Sequence, residues 1–156
     1  MLDRLRSLIS AAAVVELHSA RFRVRDLDGE LVFEFEPTLS LDADQKVVAV
    51  GRPIPASAVK THAPFANPAA LTAEPRLAQL ILSFAYSKLG SSKWLKPSPR
   101  VVLSIVGDAA NGIIPVDDKV LVDLSTFAGA RTTVVHRGKA LADNEALKLL
   151  DSQSKR

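Results

Sequence analysis

Cysteine is absent from the 156 residues. That excludes disulfides and thiolate metal sites and suits a reducing compartment. Aromatic residues make up only 5%, so most of the core must come from Val, Leu, Ile and Ala. No apolar run reaches the roughly 18 residues that span a bilayer. The start lacks a signal peptide's pattern, because Asp3 and Arg6 interrupt it and no long apolar segment follows directly. No charge of one sign dominates: the net charge is +3, and apart from small clusters at the ends the basic residues are scattered. The sequence therefore carries no strong nucleic-acid footprint. Hydrophobic residues at 47% and charged ones at 24% describe an ordinary globular chain, of a length that suits one domain. The expected division is an amphipathic segment over 1–10, a domain over 11–150 and a frayed polar tail over 151–156.

What is present is organised around the stretch from Pro97 to Val135. Two prolines, which cannot donate ladder hydrogen bonds, precede the β-branched run Val101-Val102-Leu103-Ser104-Ile105-Val106, the pattern of a buried strand. Val116, Val120, Leu121, Leu124 and Ala128 then recur at helical spacing, and Gly129 can end that helix. Thr132 to Val135 reads as the next strand. Strand, helix and strand in about 35 residues predict a parallel βαβ unit.

Upstream, three strands are predicted: Ala12 to Leu17, Arg21 to Leu27 and Glu30 to Glu36. The last two alternate, and Asp28-Gly29 predicts a two-residue hairpin turn between them. Val47 to Val50 suits a further short strand. Pro53, Pro55, Pro64, Pro68 and Pro75 exclude a long regular element between Arg52 and Pro75, so a surface connection is predicted, with His62 and Phe65 as anchors. Helices follow over Pro75 to Leu89 and Lys139 to Leu150. The order β-β-β-α-β-α-β-α is that of an α/β, ribonuclease H-like fold: a mixed sheet with helices on both faces.

Within that order the sequence resembles the first domain of MreB, the bacterial actin homologue of rod-shaped cells. Glu36-Pro37-Thr38-Leu39-Ser40 stands where that family has Glu-Pro-Ser, and Val47 to Gly51 matches its Val-Ala-x-Val-Gly. Pro97-Ser98-Pro99-Arg100-Val101-Val102 is close to a family signature, and Ala128-Gly129-Ala130-Arg131 falls at the family's helix end. The resemblance implies one domain of an actin-like ATPase. In that family an Asp-Leu-Gly-Thr hairpin brings backbone amides to phosphate and an aspartate to hydrated magnesium. The matching positions are Glu16, Leu17, His18 and Ser19. A carboxylate is kept, but His18 replaces the glycine and adds bulk and the prospect of strain at positive φ. Asp117 stands where the family carries a catalytic glutamate, and the family's second phosphate loop has no counterpart in these residues. ATP with magnesium is therefore expected only as a weak residual ligand, with no cofactor, no metal and no ATPase activity.

The expected role is a non-catalytic cytoskeletal scaffold or interaction module. Its partner would be a cytoskeletal or envelope protein, full-length MreB included, or a second copy of the chain, in the cytoplasm at the inner face of the membrane. Leu2, Leu5, Leu8 and Ile9, flanked by Arg4 and Arg6, could contact anionic lipid; the same pattern suits a first helix packed on the domain. A metal-dependent nuclease using Glu16, Asp108 and Asp123 is the alternative from another class, and an actin-like adaptor of a pilus or secretion machine is a third reading. His18, His62 and His136 lack a ligand spacing. Trp94 beside Lys93 and Lys96 suits packing at a helix end better than nucleic acid.

Overall fold

The computed structural model describes residues 11–18, 20–89, 98–107 and 116–155. The β-branched runs become strands β1 (Ala12–Leu17) and β7 (Arg100–Val106), which pair in parallel from Ala12↔Arg100 to Leu17↔Ile105. On the other side of β1 lie β2 (Phe22–Asp26) and β3 (Val32–Phe35), both antiparallel to their neighbours. β8 (Thr132–Gly138) adds to β7 in parallel. The mixed sheet thus has the order β3-β2-β1-β7-β8.

Two helices cover one face. α2 (Pro75–Ser87) buries Ala78, Ile81, Leu82 and Ala85, and α3 (Asp118–Phe127) buries Leu121 and Leu124, in one cluster with Ala13, Val15, Leu17, Leu103 and Ile105. α4 (Asp143–Gln153) covers the opposite face, where Ala146 and Leu150 meet Ala12, Val14 and Val102. Helices on both faces of a mixed sheet are what the element order predicts. α3 ends as its glycine predicts: Gly129 sits at φ 115°, its N–H donates to Thr126 O and Ala130 N–H donates to Ser125 O. Those two bonds satisfy carbonyls that a helix end would otherwise leave open.

A second, three-stranded sheet is the main departure from the predicted order. β4 (Leu39–Leu41) runs between β5 (Val47–Val50) and β6 (Lys60–His62), antiparallel to both. A short helix, α1 (Pro68–Ala73), follows, with the Asn67 side chain accepting from Ala70 N–H and proline at its start. The proline-rich window is therefore not a plain connection. Phe65 does anchor it, being buried in the larger cluster and edge-on to Phe22 at 4.8 Å. Phe35 meets both Phe22 and Phe84, and Phe33 stacks on Phe35. Five of the six phenylalanines join this contact, so the scarce aromatics are spent where the small sheet, β2 and α2 meet.

Local boundaries differ as well. The β2–β3 connection spans Leu27 to Leu31, five residues, and is closed by Asp26 N–H donating to Leu31 O. The Asp28 carboxylate in that connection accepts from Ala12 N–H at 2.8 Å. α4 begins at Asp143 rather than Lys139 and runs to Gln153, three residues into the predicted tail, where Asp151 meets Arg100 at 3.2 Å.

Candidate functional site

Strand alternation decides where Glu16 points. Ala13, Val15 and Leu17 enter the larger core, so Ala12, Val14 and Glu16 face the α4 side. The pairing register sets Glu16 beside Arg23 on β2 and Ser104 on β7, and Ser104 beside His136 on β8. This polar row lies near the carboxyl ends of the three parallel strands, one step beyond the apolar row Val14, Val102 and Val134 that α4 covers.

Glu16 is only 4% exposed. A carboxylate that deep needs compensation, because an unpaired buried charge costs several kcal/mol. Its Oε2 lies 3.1 Å from His18 Nε2 and its Oε1 lies 3.5 Å from Arg25 Nη2. Arg25 also donates to Asp143 at 2.6 Å and to the Leu141 carbonyl at 2.7 Å. One guanidinium thus joins β1, β2 and the start of α4. Among the described residues, Ser104 Oγ and Arg25 Nε are buried without a hydrogen-bond partner.

His18 closes the β1–β2 hairpin, its N–H donating to Arg21 O at 3.0 Å. The anticipated strain is not found there: among the described residues Gln45 is the only non-glycine at positive φ. Leu17 is fully buried in the larger core. Ser19, Asp108 and the segment holding Leu2, Arg4, Leu5, Arg6, Leu8 and Ile9 lie outside the described residues.

Of the remaining candidates His136 belongs to this row, and the others stand apart from it. The Asp117 carboxylate caps α3 by accepting from Lys119 N–H at 2.9 Å. Asp118 pairs with Arg137, which also donates to Val116 O. Asp123 is exposed on α3, 3.9 Å from Lys119 Nζ. Since α3 packs on the face opposite Glu16, those two carboxylates occupy different layers. His62 pairs with Glu74 at 3.0 Å and His136 reaches Lys139 O at 3.3 Å. Among the described residues no three His, Asp or Glu side chains are grouped to hold a metal ion. Arg25, Ser104 and Asp143 were not singled out by sequence. Arg25 reads as one of three alternating arginines, and its partner Asp143 lies 118 residues away.

A five-stranded mixed sheet of this order, helices on both faces and a carboxylate near the end of its first strand define the actin-type, ribonuclease H-like class. Solved structures place the chain more closely. It matches MreB5 of Spiroplasma citri bound to AMPPNP with a TM-score of 0.60 at 12% identity, over 82% of this chain and 38% of that one. A non-polymerising mutant of MamK bound to AMPPNP matches with a TM-score of 0.61 at 10% identity, over 83% and 41%. MreB5 of Spiroplasma citri bound to ADP matches with a TM-score of 0.60 at 13% identity. The chain thus has the MreB and MamK fold and spans about two fifths of their lengths, the extent of a partial domain. No protein-family model matches the sequence, and no curated protein matches it.

Proposed function

We propose that the chain is a non-catalytic, actin-like scaffold or interaction module of a bacterial cytoskeleton, linked to cell shape. The observation that carries this reading is the occupation of Glu16. Its two oxygens face Arg25 and His18, and the imidazole stands where actin-like proteins place the glycine beside phosphate. To organise a hydrated magnesium, Glu16 would have to give up one cation to take another. MreB5 and MamK carry AMPPNP in their structures; for this chain we read nucleotide as a weak residual ligand at most.

Its partner on this reading is a cytoskeletal or envelope protein or a second copy of itself, met in the cytoplasm at the inner membrane face. No described helix is long and apolar enough to cross a membrane. Membrane contact would come from the leucine and arginine pattern of residues 2–9, and weak single contacts become firm when several copies are linked.

Thermal melting with and without millimolar Mg-ATP tests the reading. A ligand at 100 times its dissociation constant stabilises by about 2.7 kcal/mol, which moves the midpoint of a domain this size by roughly 5–10 °C. The expected outcome is no shift. A reproducible rise of several degrees, or phosphate release that Glu16→Ala abolishes, overturns the non-catalytic reading.

A further inference from the structure

A cleft of about 670 Å³ opens between the small sheet and the start of α2, well away from Glu16. Leu41, Val47, Lys60 and His62 present one face of the small sheet, and Leu77 and Leu80 face them from the first turns of α2. Leu41 is buried, Leu77 and Leu80 are half-buried and Val47 is exposed, so the cleft has an apolar floor that the domain itself leaves open. Its size falls in the range of small-molecule pockets, which combine such floors with a few polar groups.

The rim is charged in one sense. Lys46, Lys60 and Arg76 line it against a single carboxylate, Glu74, which is drawn to His62 at 3.0 Å. None of the three cations lies within 4.0 Å of a described carboxylate. An apolar floor under three such cations is complementary to a molecule with an apolar body and one anionic end. We propose that this cleft binds a small, soluble amphiphilic anion. The apolar chain lies on Leu77 and Leu80, and the carboxylate or phosphate head meets Lys60, Arg76 and Lys46. A neutral chain would lose the head contacts, and a cationic one would meet like charge, which costs more than it gains.

The test uses the full chain with labelled methyl groups, followed by NMR during titration with decanoate, decanol or decyltrimethylammonium. Decanoate is expected to move the Leu77, Leu80 and Val47 methyls saturably. Decanol should bind about tenfold more weakly, and the cationic probe should leave these methyls unmoved. The combined Lys46→Glu, Lys60→Glu and Arg76→Glu variant should lose decanoate binding by tenfold or more while its melting temperature holds, since all three side chains are exposed. The Lys60→Gln, Arg76→Gln variant, which adds no new charge, should weaken binding in the same direction. Methyls that stay unmoved, shifts that never saturate, equal binding of the cationic probe, or unchanged affinity in both variants would each overturn the proposal.

Discussion

The two faces of the large sheet are built on different terms. Under α2 and α3 the interior is continuous and apolar, and it gathers five phenylalanines where the small sheet joins. Under α4 the buried cluster is small, led by Ala12, Val14, Val102, Leu141, Ala146 and Leu150, and it gives way at once to Glu16, Ser104, Arg25 and His136. The first face is positioned to supply cohesion, since burial of apolar area is the dominant favourable term. The second trades area for charge, and it is the face that carries the buried carboxylate Glu16.

The contrast breaks hardest at Phe22, which is fully buried and touches both Phe35 and Phe65. Phe22→Ala should cost about 4 kcal/mol, read from chemical denaturation. Its loss should free the small sheet along with the large one. On the charged face, Arg25→Met should cost about 3 kcal/mol, because it strands a buried carboxylate. Adding Glu16→Gln should recover much of that, and a double variant no better than the single would show that Arg25 acts through Asp143 and Leu141 instead. Asp117→Ala, which uncaps α3, should cost only about 1 kcal/mol.

A spectroscopic test sharpens the same comparison. Tyr86 is the one tyrosine in the chain, and burial on the apolar face pushes its hydroxyl well above the ordinary value of 10.0, partly offset by a hydrogen bond with Ser125. In the unfolded chain it ionises near pH 10.0, whereas the folded hydroxyl does not. Its contribution to stability is complete below that pH and falls as pH rises above it. Tyrosinate absorbance should therefore be missing at pH 10 in the native protein and appear only as the fold is lost. Ionisation at the ordinary pH without unfolding would mean this face admits water.

Much of this architecture was legible from periodicity. β1 and β7 announce themselves as β-branched runs, and α2 and α3 as broad apolar stripes. Of the small sheet only β5, Val47–Val50, was legible, because β4 and β6 are three residues each and carry too few side chains to show alternation. Asn67 followed by Pro68 was a usable signal for α1, overlooked because prolines dominate that window. Glu16 and Leu17 were both singled out by resemblance, and both also fall in the predicted first strand. What holds Glu16 was out of reach, since Arg25 and Asp143 meet only after the whole α/β part has folded.

Arg25 grips the start of α4 through Asp143, and Arg100 grips its end through Asp151. Both aspartates are largely exposed to solvent. The last helix is thus clasped at its two ends by Coulomb attraction across a modest greasy strip. Ionic strength becomes a control on one layer of the molecule. Raising salt from 0.1 M to 1 M shortens the reach of such attraction from about 10 Å to about 3 Å, while the phenylalanine side is indifferent to it. In concentrated electrolyte α4 should exchange its amide hydrogens first, peeling from a sheet whose other face stays shut.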